Sequence, residues 1–136
     1  MTRTLVAYAA TLVAFCCCDF VWLGFVAKDY YQSQLGGLLL AQPNWAAAVT
    51  FYVLYCAGIV IFCVAPALDA ASLGKAALLG AVLGALAYAT YDLSNLATLK
   101  GWPLGLSMVD IAWGAFATAV AASAGYQAAK LIGESI

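Results

Sequence analysis

The chain contains no histidine and very little charge: Lys and Arg number 5, Asp and Glu number 6, and only 8% of its 136 residues are charged. A soluble domain carries about 25% charged residues, so a chain this poor in charge cannot cover a core with a solvated surface. The missing imidazole removes the commonest general base and the commonest ligand for metals and haem. A formal net charge of −1 excludes the basic footprint of a nucleic-acid binder. What the sequence has in quantity is apolar mass, at 67% of residues. The length suits one domain, residues 1–136, and the composition makes lipid its solvent.

A helical span needs about 20 mostly apolar residues. Four stretches meet that need: Leu5–Val26, Trp45–Pro66, Ala71–Leu99 and Leu104–Leu131. Every charge except three aspartates falls at or beyond their ends. A membrane β-barrel would require segments that alternate polar and apolar residues, and runs such as Ala76–Ala87 do not alternate. The expected fold is an all-α polytopic membrane protein, a four-helix up-down-up-down bundle with short connections at Pro66 and Pro103. Arg3, Lys75 and Lys130 on one side against Lys28 and Lys100 on the other give a small positive-inside bias, so both termini are expected in the cytoplasm. The first span has no small-residue cleavage site after it and reads as an uncleaved anchor. The longest connector, Ala27–Asn44, carries Tyr30 and Tyr31 and runs up to Trp45. These suit an aromatic belt at headgroup level and a short interfacial helix.

The five cysteines, Cys16, Cys17, Cys18, Cys56 and Cys63, all lie within spans. Three consecutive helical positions point about 100° apart, so the triplet forms no chelating face, and cysteine is expected as a small apolar filler. No metal or cofactor is expected. Small residues carry more information. Ala76, Gly80, Gly84, Tyr88 and Asp92 recur every four residues on the third span, and Asp110, Gly114, Thr118, Ala122 and Tyr126 do so on the fourth. Such stripes let membrane helices approach closely. They predict that helices three and four pack together, with a dimer face as the lesser reading.

Both stripes contain an aspartate toward the expected outer side. Counted from the outer span ends, Asp19 lies seven residues in, Asp92 seven and Asp110 six. At 1.5 Å per residue, all three carboxylates fall in one slab about 9–11 Å deep. Tyr52 shares it. Tyr88, Asp92 and Asn95 stand on one face of their helix, and Asp19–Trp22 and Asp110–Trp113 are i, i+3 neighbours. Phenols and indoles at these spacings can hydrogen-bond to carboxylates or wall them off. A charged Asp deep in a span costs about 2.5–3.5 kcal/mol, and no Lys or Arg stands in the slab to offset it. Neighbouring carboxylates also repel, so the layer is expected to keep at least one proton. Three roles follow: structural glue between helices, a seat for a cation or amine, or proton transfer on a ligand entering from lipid. As glue, Asp110 fits best, because it lies near a helix N-terminus, and Asp19 fits worst.

The segment Tyr88-Ala-Thr-Tyr91-Asp92-Leu-Ser94-Asn95-Leu-Ala-Thr-Leu-Lys100-Gly101-Trp102-Pro103, with Asp110-Ile-Ala-Trp113-Gly114 and Asp19-Phe-Val-Trp22-Leu-Gly24, resembles the domain-of-unknown-function family numbered 2177. The resemblance covers nearly the whole chain, with Ser94 where threonine is expected. It implies four spans in a bacterial inner membrane and implies no particular reaction.

The favoured expectation is a binding site in the outer half for a small amphiphile, lipid or cation, with acid–base chemistry as its extension. Asp19, Asp92 and Asp110 would be acids or cation-binding groups. Tyr52, Tyr88 and Asn95 would be hydrogen-bond partners, and Trp22 and Trp113 apolar walls. The alternatives are an accessory subunit of a larger membrane complex and a proton- or cation-coupled transporter acting as a homo-oligomer. Beyond membrane lipids, such partners are a ligand, a second copy or a larger complex, and no nucleic acid.

Overall fold

The computed structural model describes residues 1–134. Among these the helices are α1 (Thr2–Val26), α2 (Lys28–Leu35), α3 (Trp45–Asp69), α4 (Leu73–Thr98) and α5 (Leu104–Glu134). No strand occurs among the described residues. The four helices other than α2 are each long and apolar enough to cross a membrane, as the composition predicts. Large apolar side chains such as Phe62, Leu78, Phe116 and Leu131 point outward, which suits a lipid solvent and would be unfavourable in water.

Local chemistry sets the helix boundaries. Asn44 caps α3 by accepting from Ala47 N at 3.2 Å, and Ser72 caps α4 by accepting from Lys75 N at 3.1 Å. Each side-chain oxygen satisfies an amide that the first turn leaves without a partner. The expected end of the second span at Pro66 is corrected by the structure, because the helix continues through the proline to Asp69. A π-helical turn, Val60–Val64, precedes Pro66. Its wider ring absorbs the lost N–H and the bulk of the pyrrolidine, which would otherwise break the helix. A second π-turn, Trp22–Val26, closes α1, with Ala27 N donating to Trp22 O at 2.7 Å. It turns the chain from the span into α2.

Helix α5 lies at the centre and packs along α4 on one face and α1 on another. The α4–α5 contact uses the two predicted stripes within one molecule. A Cβ at Gly80 would meet Thr118 O at 2.8 Å and Ala122 Cβ at 3.0 Å, and one at Gly84 would meet Thr118 Oγ1 at 2.6 Å and overlap the Gly114 carbonyl. The α1–α5 contact uses stripes that the sequence reading overlooked. Ala7, Thr11, Phe15 and Asp19 are the buried residues of the first helix, and Ala117, Ala121, Gly125 and Ala129 oppose them. A Cβ at Gly125 would meet Ala7 O at 3.1 Å, and Arg3 Nε donates to Ala129 O at 3.2 Å. Both pairs run antiparallel. Helix α3 joins this core through Cys56, Ile59, Val60, Cys63, Val64 and Ala67. Its opposite end, where Trp45, Val49 and Leu54 are exposed, stands away from α4. All five cysteines are free, and the buried pair fills space between helices.

Candidate functional site

The acidic slab sits where α3 diverges. Asp19 and Asp110 are each 8% exposed and Asp92 is fully buried. The three differ sharply in their partners. Asp19 accepts from Tyr52 Oη at 2.7 Å through Oδ2 and from Trp113 Nε1 at 3.2 Å through Oδ1, so α1, α3 and α5 meet at one carboxyl. This reverses the ranking from sequence, since the acid judged least suited to a structural role has the fullest set of donors. Asp110 accepts from the Tyr31 hydroxyl, and Tyr31 in turn accepts from Trp22 Nε1 at 3.2 Å. The Trp22 and Trp113 rings stack with centroids 4.4 Å apart and planes 5° from parallel, so the two hydrogen-bonded groups share a wall.

Asp92 is the exception. Among the described residues neither of its carboxyl oxygens has a donor. The Asp110 carboxyl stands opposite it, one helical turn beyond the Tyr88–Gly114 contact on each helix, and two acids can bond to each other only if one carries a proton. Tyr88 and Asn95 are not the expected partners. The Tyr88 ring lies over Gly114, and among the described residues neither side chain donates to an aspartate. One helical turn deeper, Tyr55 Oη and Thr118 Oγ1 pair at 2.8 Å.

Tyr31 is the functional residue that sequence reasoning missed. It was expected at headgroup level, yet it reaches back from α2 into the slab. A pattern read along spans does not reveal a residue delivered by a connector. Burial, reinforced by the Asp110 carboxylate, pushes the Tyr31 phenol up from its ordinary value. The donating form is therefore the one the site favours, and the latch should persist through mildly alkaline pH. Tyr31→Phe is expected to raise amide hydrogen exchange across α2 by about tenfold, the equivalent of one charged hydrogen bond. Unchanged exchange would show that the latch contributes nothing.

Two cavities border the slab. One, of about 440 Å³, lies between α3 and α4 over α5 and is lined by Phe51, Ala87, Tyr88, Tyr91 and Asp110. The other, of about 420 Å³, lies on the α1–α3 side, with Asp19, Phe20, Trp45 and Tyr52 among its walls. Both fall within the range of about 300–1,000 Å³ common for small-molecule sites. Among the described residues no cluster of His, Cys, Asp and Glu could hold a metal ion.

Helices of this length and apolarity, joined over a buried acidic and aromatic layer, define a polytopic membrane protein. The family model described as Predicted membrane protein (DUF2177) matches residues 4–127, and the chain belongs to this family. No curated protein and no solved structure matches the chain.

Proposed function

We propose that this protein binds a small amphiphile or lipid in the acidic layer, with the apolar body in the α3–α4 cleft and the polar head at Asp110. The reading places the protein in a bacterial inner membrane, termini in the cytoplasm, with the cleft opening to the outer leaflet. A cation alone is the lesser form of the same idea, and acid–base chemistry on the bound head is its extension. One observation carries it: a cavity of about 440 Å³ has apolar and aromatic walls and a single carboxyl, Asp110, at its polar end. Sites for small molecules have this composition, mostly apolar with a few placed polar groups. An accessory subunit would need no such cavity. A proton or cation carrier would need polar groups linked through the other half of the bundle, where beyond the Tyr55–Thr118 pair the buried Thr11 hydroxyl has no hydrogen-bond partner among the described residues.

The reading is tested with a long-chain alkyl diazirine as photoprobe on protein in nanodiscs. Crosslinks are expected at Phe51, Ala87 or Tyr91. Ala87→Trp places an indole in the cavity and is expected to reduce labelling there by about tenfold, consistent with the loss of a buried apolar contact. Labelling that is spread over all lipid-facing residues, and unaltered by Ala87→Trp, would remove the proposal.

A further inference from the structure

We propose that Asp92 and Asp110 hold one proton in common, and that Asp110 exchanges it for the ammonium head of a long-chain amine in the α3–α4 cleft. The inference rests on the binding reading above and names the chemistry of the ligand.

The geometry is specific to this pair. Asp92 is fully buried and among the described residues neither of its oxygens has a donor, while Asp110 stands opposite it, one helical turn beyond the Tyr88–Gly114 contact on each helix, and also lines the cavity. Asp92 is thus the inner member and Asp110 the member a ligand can touch. Tyr31 of α2 donates to Asp110, Tyr88 and Tyr91 of α4 line the same cavity, and Asp19 of α1, bonded to Tyr52 of α3, lies beyond Trp113. The facing groups are phenols and a third acid. All five basic residues stand at or beyond the span ends.

The head group follows from this inventory. Tyr31 donates to Asp110, and Tyr52 and Trp113 donate to Asp19, while among the described residues no donor reaches Asp92, so the layer has a surplus of acceptors and of negative charge. A phosphate- or carboxylate-headed amphiphile would be repelled by three acids. A hydroxyl could donate but would leave the charge uncompensated. A metal ion would have to shed its water for few ligands beside aromatic walls. An alkylammonium supplies both donors and charge, and its chain suits the walls formed by Phe51 and Ala87. The exchange balances: the ammonium enters with its three N–H bonds intact, the shared proton leaves through the cavity, and the net charge of the site with its ligand is unchanged.

The test is calorimetric titration of the full chain in nanodiscs with dodecylamine, dodecanol and dodecyl phosphate, each in two buffers of different ionisation enthalpy. Dodecylamine is expected to bind the wild type and to release about one proton per amine. Asp110→Asn is expected to weaken its binding by at least about tenfold, the equivalent of a lost charge-assisted hydrogen bond. Asp92→Asn is expected to retain binding but lose the proton release, because the introduced amide donates to Asp110 permanently. Near-UV circular dichroism of the stacked indoles reports whether each variant is folded, and the wild-type proton count needs no variant. Equal binding of dodecanol and dodecylamine, or amine binding by the wild type without proton release, overturns the inference. If Ala87→Trp blocks both probes in the first of these cases, the binding reading survives and only the amine assignment falls. If no probe binds and Ala87→Trp changes nothing, both fall.

Discussion

Gly84→Leu is expected to destabilise the bundle by more than about 3 kcal/mol. A Cβ at this position would overlap the Gly114 carbonyl and lie 2.6 Å from Thr118 Oγ1. The obstacle is backbone in the central helix, so no rotamer change relieves it and α4 must move away from α5. That movement would also lift Tyr88 from Gly114 and open the wall of the cleft. Gly84→Ala already introduces the offending atom and is expected to cost about 1–3 kcal/mol. Gly58 in α3 provides the contrast, since nothing lies within 4 Å of a Cβ there. Gly58→Ala should therefore gain up to about 1 kcal/mol from helix propensity alone. Denaturant titration in mixed micelles, followed by tryptophan fluorescence, measures all three. Equal midpoints for Gly84→Leu and the wild type would show that the α4–α5 seam does not hold the fold together.

Asp19→Leu is expected to cost about 2–4 kcal/mol, because it leaves the half-buried Tyr52 hydroxyl and Trp113 indole N–H without their acceptor. The effect has a signature that simple loss of packing lacks. Removing the donors as well, in Asp19→Leu/Tyr52→Phe/Trp113→Phe, should recover most of the loss, since apolar groups replacing a whole hydrogen-bonded set can be nearly neutral. Asp19→Leu also frees Trp113 from its anchor, so the exciton couplet of the Trp22–Trp113 stack in near-UV circular dichroism should weaken. If the triple variant were less stable than Asp19→Leu alone, Asp19 would not be the junction of α1, α3 and α5 that its two hydrogen bonds indicate. The comparison with Asp92 is informative: an acid with every oxygen satisfied contributes to structure, whereas an acid with none depends on a proton or a ligand.

Much of the site could be read along the chain. Asp19 and Tyr52 meet, and Asp92 stands opposite Asp110, because helix rise is constant and each lies a similar number of residues from the end of its helix. The α4–α5 seam was legible because small residues recur every four positions on both helices. The α1–α5 seam was less so, because Phe15 interrupts the small residues of α1. Partner choice was not legible. Tyr88 and Asp92 share a face, yet Tyr88 packs on Gly114 and leaves Asp92 to Asp110. The second long helix runs past Pro66 to Asp69, and the π-turn before the proline depends on packing that periodicity does not record.

By itself the sequence determined the solvent, four helices long and apolar enough to span a membrane, and the position of three acids along them, since composition and a fixed rise per residue are properties of one helix at a time. Only the tertiary structure decided that α5 is central, that Tyr31 returns from α2 to Asp110, that Asp19 is saturated while Asp92 faces another acid, and that a cleft lies between α3 and α4. Those features depend on the azimuth and tilt of one helix against another and on the path of a connector. Lipid makes every outward apolar residue equally acceptable, so hydrophobicity fixes neither. Close approach at glycine and pairing of buried polar groups do.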